Sequence, residues 1–415
     1  MTKLGAPEEE AFGAAPHERP VPRISIQAFC EFPDTGAALQ RAAADRRLSK
    51  AHVNVQLGGI EAAVEHLGSQ ITPNLLIVET RLQGQIALDE IDRLAEVCDP
   101  STKVLIIGRV NDVHLYRELI RRGVSEYMVA PVNPLHLIEV IAGLYVSPDA
   151  APIGRVVSFV GARGGVGSST LAHNVAWCIA ETMRINTALV DLDLPFGTVG
   201  LDFNEEPGQG ISEALSAPER IDDVLLDRLL IKAGDYLSLF TAPATIDRVT
   251  EADPDAYESV LDAVRQAVPS VVIDLPHAWT PWVRQTLLAS DEIVIVATPD
   301  LASLRNGKAL ADLLKQNRPN DIAPKLVINQ MGVPKRPEIP VKDFAATVGL
   351  EPSLLLPFDP NLYGTASNNG QMLPEVQPRS QSAEGVKALA EMLTGRTAHL
   401  PQKSLFSIFK GKKSA

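Results

Sequence analysis

Hydrophobic and polar positions alternate along most of the chain in a way that predicts short strands separated by amphipathic helices. In the first part of the chain, hydrophobic runs predict strands over residues 24–29, 52–57, 75–79, 103–108 and 126–130, and one of the helices between them is predicted over 112–122. Five strands separated by helices indicate a doubly wound parallel sheet. The pattern therefore predicts a first α/β domain over residues 23–145.

A second series of hydrophobic runs starts at Arg155. These runs predict strands over residues 155–161, 187–193, 270–276, 292–299, 325–331 and 353–359. They are apolar on both faces, as buried parallel strands are. With helices predicted over 169–182, 301–316 and 383–393, the series indicates a second doubly wound parallel sheet, in a domain over residues 155–395.

Three segments lack this alternation. Residues 1–22 contain three consecutive glutamates and four prolines and are predicted to be a flexible leader. Residues 146–154 contain Pro148 and Pro152, which disfavour regular structure, and are predicted to be a linker. Residues 396–415 follow the last predicted helix and are predicted to form a basic, amphipathic tail.

Composition limits the classes of protein to which the chain can belong. Of its 415 residues, 45% are hydrophobic and 21% are charged, which supplies two cores and excludes wholesale disorder. A formal charge of −13 disfavours binding to nucleic acid. The three cysteines form no CxxC pair, which favours a reducing compartment, and no apolar run reaches the roughly 18 residues of a membrane-spanning helix. These features predict a cytoplasmic protein.

A glycine-rich turn between a predicted strand and a predicted helix is the strongest chemical signal. The run GARGGVGSST places Gly164, Gly165, Val166 and Gly167 directly before a helix that begins at Ser168 or Ser169. Glycines let backbone amides converge on one point, and the helix N-terminus adds partial positive charge. This combination suits a triphosphate. A tight turn without a ligand is the alternative.

Three aspartates follow strands of the same predicted sheet. Asp191 and Asp193 lie in LVDLDLPFGT, and Asp274 ends the run VVID. Because parallel strands end at one edge of a sheet, these carboxylates are expected beside the glycine-rich turn, where a Mg²⁺ between them and a phosphate would explain them. For each aspartate alone, a helix cap or a solvated strand end is the favoured explanation, but the three aspartates together with the loop, in this order, argue against coincidence. The eight histidines, His173 among them, show no metal-ligand spacing and are interpreted as structural.

These motifs give the chain a family resemblance. Residues 155–395 resemble the deviant Walker A ATPases of the MinD/ParA group, whose loop usually reads KGGxGK[ST], where this chain has RGGVGSST. Together with a receiver-like domain before it, the combination is similar to the CpaE/TadZ proteins of tight-adherence (Flp, type IVb) pilus systems. The resemblance covers nearly the whole chain after residue 22. It implies a P-loop NTPase fold preceded by a flavodoxin-like pseudo-receiver.

The resemblance implies roles for individual loop residues. Arg163 corresponds to the signature lysine, which contacts the partner's phosphates across a dimer, and it keeps the positive charge. Ser168 corresponds to a second lysine, which contacts the β- and γ-phosphates, and Ser169 corresponds to the hydroxyl that binds Mg²⁺. The nucleotide-binding set implied for the loop is Arg163, Gly164, Gly165, Val166, Gly167, Ser168, Ser169 and Thr170.

Further roles follow from the same resemblance. Asp193 corresponds to the carboxylate that positions the attacking water, and Asp274 to the Walker B aspartate. Asp191 and Asp274 are expected to join Ser169 as ligands of Mg²⁺.

The base of the nucleotide also has expected contacts. Asn329 corresponds to the asparagine that recognises adenine, and Pro357 and Asp359 lie in the loop beside the base. A capped strand end is the alternative interpretation of this segment.

The expected cofactors are therefore ATP and Mg²⁺. Because phosphoryl transfer depends on stabilising developing charge, the uncharged Ser168 favours binding over turnover. The resemblance implies a homodimeric ATP switch, with weak or absent hydrolysis, that localises or assembles a pilus machine. The alternatives are an active ATPase that partitions cargo on membrane or DNA, and a nucleotide-free adaptor.

The first domain resembles a receiver whose phosphorylation chemistry has been lost. Glu79 stands where the phosphorylated aspartate would be, and the acidic pair after the first strand is reduced to Glu31. Gly108 replaces the hydroxyl residue of the fourth strand, and Ala130 replaces the lysine before Pro131. What remains is a scaffold for docking or localisation, or one that only packs against the second domain.

The tail combines apolar and basic residues. If residues 404–409 are helical, Leu405, Ile408 and Phe409 share one face, and an apolar face flanked by lysines suits an anionic membrane surface. The expected location is then peripheral, at the inner membrane or the cell pole, with a disordered or packed tail as the alternative. The residues of this expected membrane contact are Leu405, Phe406, Ile408, Phe409, Lys410, Lys412 and Lys413.

Overall fold

The computed structural model describes residues 21–145, 153–206, 208, 210–243 and 252–395. The described residues form two compact units, one from 21–145 with 316–321 and the other from 153–315 with 322–395. We call them the N-terminal unit and the C-terminal unit. The expected membrane contacts of the tail, and most of the predicted leader and linker, lie outside the described residues.

The N-terminal unit contains a five-stranded parallel sheet with the strand order β2-β1-β3-β4-β5. This 2-1-3-4-5 order is that of flavodoxin-like folds, which include receivers. The strands are β1 (Ser25–Cys30), β2 (His52–Leu57), β3 (Leu75–Glu79), β4 (Lys103–Gly108) and β5 (Glu126–Val129). The helices are α1 (Pro33–Ala43), α2 (Gly59–Leu67), α3 (Gly84–Val97), α4 (Val113–Arg121) and α5 (Pro134–Tyr145).

The core of the N-terminal unit lies on both faces of this sheet. Every residue of the central strand β3 is buried, which explains why its sequence is apolar without alternation. Leu39 and Leu137 belong to the cluster on one face, and Ile60 and Leu94 belong to the cluster on the other. The predicted doubly wound fold is therefore confirmed for this unit.

The C-terminal unit contains an eight-stranded sheet with the strand order β13-β12-β11-β6-β10-β7-β9-β8. All neighbours are parallel except β8 and β9, which are antiparallel. The strands are β6 (Arg155–Gly161), β7 (Thr187–Asp191), β8 (Ile231–Lys232), β9 (Leu237–Phe240), β10 (Ser270–Asp274), β11 (Glu292–Ala297), β12 (Lys325–Met331) and β13 (Pro352–Pro357).

Helices cover both faces of the larger sheet. Leu171 and Val386 pack in the cluster on one face, and Val260 and Leu314 pack in the cluster on the other. The helices are α6 (Ser168–Trp177), α7 (Val199–Asp202), α8 (Gly210–Ser216), α9 (Asp223–Leu229), α10 (Pro254–Ala267), α11 (Pro281–Ala289), α12 (Leu301–Asn317), α13 (Val341–Val348), α14 (Pro360–Asn369), α15 (Leu373–Val376) and α16 (Gln381–Leu393). The fold is the predicted doubly wound α/β arrangement.

Two features of the C-terminal unit were not predicted from the sequence. β8 and β9 extend the sheet beyond β7, and their lengths of two and four residues are too short to show a periodic pattern. After Trp177, α6 continues as a π-helical segment, Cys178–Thr182. Among the described residues, no helix is both long enough and apolar enough to cross a membrane.

Candidate functional site

The glycine-rich turn follows β6 at the centre of the sheet and leads directly into α6. Gly165 has a φ of 75° and Gly167 has a φ of 86°, in the left-handed region that favours glycine. Gly167 also has close neighbours, because a Cβ built there would lie 2.6 Å from Nδ2 of Asn329. The chain can therefore form this turn only with glycine at position 167.

Side chains from β12 hold the loop in this shape. Nδ2 of Asn329 donates to the carbonyl of Val166 at 2.8 Å, and Nε2 of Gln330 donates to the carbonyl of Gly165 at 2.9 Å. Oδ1 of Asn329 accepts the backbone N–H of Gln330 at 2.8 Å. The side chain of Asn329, expected to recognise adenine, is buried and bonds to the loop and to its own strand. The sequence contained no pattern that predicted this structural role of Asn329 in holding the loop.

The first residues of α6 provide hydroxyl groups rather than positive charge. The Oγ of Ser168 is buried and has no hydrogen-bond partner among the described residues. Ser169 and Thr170 are partly exposed. The end of α6 beside the loop therefore has its backbone amides and its helix dipole to attract an anion, without a lysine.

Arg163 points back onto its own chain. Its Nε lies 3.1 Å from Oδ2 of Asp300, and its Nη1 donates to the carbonyl of Gly164 at 2.8 Å. Asp300 precedes α12 and also accepts the backbone N–H of Ser303. Burial works to raise the pKa of Asp300, but hydrogen bonds from Ser303 and Thr298 and the charge of Arg163 outweigh it and lower that pKa.

Asp191 is buried at the end of β7 and organises the segment after it. Its Oδ1 accepts the N–H of Asp193 at 3.1 Å, and its Oδ2 accepts the N–H of Val199 at 3.2 Å. Burial, followed by repulsion from Asp274, raises the pKa of Asp191 to about 7. Asp193 is half-buried, and burial raises its pKa as well. Both oxygens of Asp191 are therefore engaged by backbone.

Asp274 is buried at the end of β10 next to His173 of α6. Its Oδ2 lies 3.4 Å from Nε2 of His173, which is an ion-pair contact rather than a directed hydrogen bond. Its Oδ1 is buried and has no hydrogen-bond partner among the described residues. The predicted neighbours Asp191 and Asp274 therefore do meet, in adjacent strands that pair at these two residues.

The side chains around the loop fit Mg²⁺ at two of the three expected positions. The unpartnered Oδ1 of Asp274 is a hard oxygen donor without a competing bond, and the hydroxyl of Ser169 is accessible. Asp191 fits less well, because both of its oxygens accept backbone N–H groups. Two protein ligands are a normal complement, since Mg²⁺ usually takes its other ligands from phosphates and water. Among residues 21–145, 153–206, 208, 210–243 and 252–395, no cluster of three or more His, Cys, Asp or Glu side chains could hold a metal by itself.

A cavity of about 330 Å³ opens beside the loop. Asp359 lies in its wall and also caps α14 by accepting the N–H of Leu362 at 3.0 Å. The structure therefore brings six of the residues expected around phosphate and base into the wall of one cavity, whereas Arg163 and Ser169 are not among its lining residues. Its lining includes Gly165, Gly167, Thr170, Asn329, Pro357 and Asp359.

The receiver-like site in the N-terminal unit is filled by its own side chains. Glu79 is fully buried, and its carboxylate accepts the hydroxyl of Thr35 at 2.7 Å and the N–H of Phe32 at 3.0 Å. A Cβ at Gly108 would lie 2.2 Å from the hydroxyl oxygen of Tyr127, so that ring occupies the place of a side chain on β4. Both glutamate oxygens are used internally.

Comparison with known proteins defines the class of the chain. A ParA family ATPase from Chlorobium tepidum TLS is 26% identical over 57% of this chain and 98% of that chain, with a TM-score of 0.52. The septum site-determining protein MinD of Pyrococcus horikoshii OT3, solved with Mg-ADP, is 20% identical over 60% of this chain and 100% of that chain, with a TM-score of 0.51. The chain therefore contains the P-loop NTPase fold of the MinD/ParA ATPases.

A further relative identifies the family. The pilus assembly protein CpaE from Caulobacter crescentus CB15 is 50% identical over 31% of this chain and 98% of that chain, with a TM-score of 0.31. On this sequence identity, the chain belongs to the CpaE-type pilus assembly proteins of the MinD/ParA ATPase family. No protein-family model matches the chain.

Proposed function

We propose that this chain is an ATP-binding localisation or assembly factor for a tight-adherence (Flp) pilus machine and works as a nucleotide-dependent dimeric switch. The observation that carries the proposal is a glycine-rich loop at a helix N-terminus whose carbonyls are held by the side chains of Asn329 and Gln330. A loop held in this way loses little conformational freedom when it binds a ligand. Membership of the CpaE-type proteins supplies the pilus context.

In this proposal the triphosphate lies on the amides of residues 164–169 and the base lies in the adjoining cavity. Ser169 and Asp274 hold the Mg²⁺, which neutralises phosphate charge when it is bound. The MinD relative from Pyrococcus horikoshii OT3 was solved with Mg-ADP, which supports this choice of ligand. Asp191 shapes the segment that carries Asp193, which is the proposed site for positioning a water.

Hydrolysis is proposed to be slow or absent. The loop has no lysine at position 168, and the nearest loop cation, Arg163, is paired with Asp300. The transition state for phosphoryl transfer would therefore receive less electrostatic stabilisation than a lysine at position 168 would supply.

A homodimer is proposed to form over the edge of the sheet that carries the loop. Five large apolar side chains in the segments after strand ends at this edge are exposed, each by 38% to 74% of its surface. Exposed apolar groups concentrated around one site favour an interaction there. They are Phe196, Leu201, Trp279, Leu301 and Phe358.

The N-terminal unit is proposed to be a docking scaffold rather than a phosphorylated switch. Glu79 is buried and used by Thr35 and Phe32, so it offers no oxygen to a phosphoryl donor. The tail is proposed to add weak attachment to the inner membrane, which dimerisation would strengthen. Such a protein would act in the cytoplasm, at the membrane or the cell pole.

The test is an ATP titration of the full chain with Mg²⁺, with phosphate release measured in the same sample. A Gly167→Ala variant is the matched loop variant, because its Cβ would collide with Nδ2 of Asn329 and disturb the loop. Binding without release, lost in the loop variant, is the expected result.

The other outcomes distinguish the rival functions. Steady phosphate release would instead identify a cycling ATPase of the kind that partitions cargo. No binding at millimolar ATP would leave a nucleotide-free adaptor and would overturn the proposal.

A further inference from the structure

A buried histidine connects two carboxylates behind the phosphate loop. His173 lies on α6 and is completely buried, and its Nδ1 is 2.7 Å from Oδ2 of Asp202, the last residue of α7. Its Nε2 is 3.4 Å from Oδ2 of Asp274 at the end of β10. Each ring nitrogen thus faces a carboxylate oxygen.

The contact with Asp202 is one of several that hold the segment after β7. The segment is bound at Val199, whose N–H donates to Asp191, and at Asp202, which His173 holds. The hydroxyl of Thr198 donates to the same Asp202 oxygen at 3.2 Å. Phe196 and Leu201 are exposed by 74% and 71%, whereas Val199 is buried in the core. The polar contacts therefore add to the packing of Val199 in holding the segment.

The same histidine also restricts the orientation of the Asp274 carboxylate. With one oxygen beside His173 and the other unpartnered, the carboxylate is oriented by the imidazole ring. A buried charge that has lost its partner is costly, so the three groups depend on one another.

We propose that His173 is a positioning residue that fixes Asp274 and the segment 193–202 in one arrangement before any nucleotide binds. The inference rests on the proposed function, because it takes Mg-ATP as the ligand that binds beside Asp274 and the segment 193–202. Nucleotide then meets a segment that is already ordered.

The competing explanation is that His173 and the two carboxylates only stabilise the fold. The two explanations differ in which part of the unit loses stability when the contact is removed. Loss of a structural pair lowers the stability of the whole unit. Loss of a positioning contact releases residues 198–204 locally and disturbs the orientation of Asp274.

The experiment uses Asp202→Ala in the full chain. Asp202 is partly exposed, with 20% of its side chain accessible, so this variant is expected to fold even if His173→Ala does not. Asp222→Ala is the control, because Asp222 is another aspartate at the end of a short helix, where it accepts the N–H of Leu225 as the cap of α9 and has no bond to His173 among the described residues. Hydrogen exchange is measured without nucleotide, and ATP binding is measured with Mg²⁺ and with EDTA.

Asp202→Ala is expected to speed exchange at amides 198–204 about tenfold and to weaken Mg-ATP binding by a similar factor, as loss of a charge-assisted hydrogen bond would. Binding in EDTA should change less, because the Mg²⁺ site is what the contact orients. The control should leave both unchanged.

Exchange at 198–204 that matches the control, or that rises only together with the whole unit, would overturn the inference. Failure of the wild-type chain to bind ATP would count against the proposed function alone, because the exchange measurement contains no nucleotide.

Discussion

The guanidinium of Arg163 and the carboxylate of Asp300 form an ion pair within one chain, with Nε 3.1 Å from Oδ2. Asp300 is fixed by the N–H of Ser303, so the carboxylate holds the arginine rather than the reverse. In the proposed dimer, Arg163 would have to leave this carboxylate before it could contact the partner's phosphates. The pair would therefore oppose dimer formation until a stronger anion competes for Arg163.

Replacing Asp300 with asparagine should favour the dimer. The amide oxygen of the new side chain could still accept the N–H of Ser303, but the side chain would no longer hold the charge of Arg163. Because half-exposed ion pairs contribute little, we expect ATP-dependent dimerisation at about threefold lower protein concentration, measured by light scattering. Asp312→Asn removes the exposed pair with Lys308 on the same helix and should have no effect. Unchanged or weaker dimerisation of Asp300→Asn would contradict this account.

Ser168→Lys should restore charge at the start of α6. We expect ATP affinity to rise about tenfold and phosphate release to become measurable, because the added cation stabilises charge that develops on the phosphate. Ser168→Ala removes the unpartnered hydroxyl without adding charge and should match the wild type. If the lysine variant gains neither affinity nor release, Ser168 is not the residue that limits turnover.

Much of the fold could be predicted from the sequence because its strands are buried on both faces. β3, β7, β10 and β11 are buried at every position, so each leaves an uninterrupted apolar run. β8 could not be predicted, since Ile231–Lys232 is two residues long and joins the sheet only through β9. Pairing at a sheet edge is decided by tertiary contacts that a local pattern does not contain.

The location of the candidate site could be predicted from the sequence, but most of the hydrogen bonds within it could not. Strand ends and glycines indicated that Asp191, Asp274 and the loop would meet, and in the structure they lie along one edge of the sheet. The partners of His173 and Asn329 were not predictable, because each bonds to residues remote in sequence. His173 was interpreted as structural since a single histidine in an apolar helix has no spacing to suggest a partner.

Asn329→Ala should remove a contact that holds the loop and should also lower the stability of the C-terminal unit. The variant leaves the carbonyl of Val166 and the N–H of Gln330 without their partner, which should lower the free energy of unfolding by about 1–3 kcal/mol in urea. Gln330→Asn is the control: it suits the left-handed backbone at this position but is too short to reach Gly165, and its bond is exposed. Equal effects of the two variants would show that Asn329 is not the main anchor.

Glu79→Ala should destabilise the N-terminal unit without affecting any phosphorylation. The N–H of Phe32 and the hydroxyl of Thr35 would lose a buried acceptor, so we expect a local loss of about 1–3 kcal/mol in hydrogen exchange of β1 and β3. Thr35→Ala, which removes one of these two bonds, should cost less. Glu79→Asp should remain unmodified by acetyl phosphate in intact mass measurements. A phosphorylated Glu79→Asp variant would show that the receiver chemistry is retained.

Truncation after Pro401 should abolish sedimentation with anionic vesicles. The tail lies outside the described residues, so the prediction rests on its sequence alone. A helix would place Phe409 on the same face as Leu405 and Ile408, so Phe409→Ser should weaken binding more than Phe406→Ser. Unchanged sedimentation of the truncated chain would remove the membrane contact from the proposal.

The central place of β6 decides when the phosphate loop can form during translation. β6 pairs with β10 and β11, so its backbone has no sheet until residues 270–297 have left the ribosome. The five strands of the N-terminal unit, by contrast, are all synthesised by Val129. Because domains fold as they emerge, the first sheet can be complete while the apolar β6 still lacks both of its partner strands. A pause in synthesis between residues 161 and 270 would therefore endanger the nucleotide site and spare the receiver-like sheet.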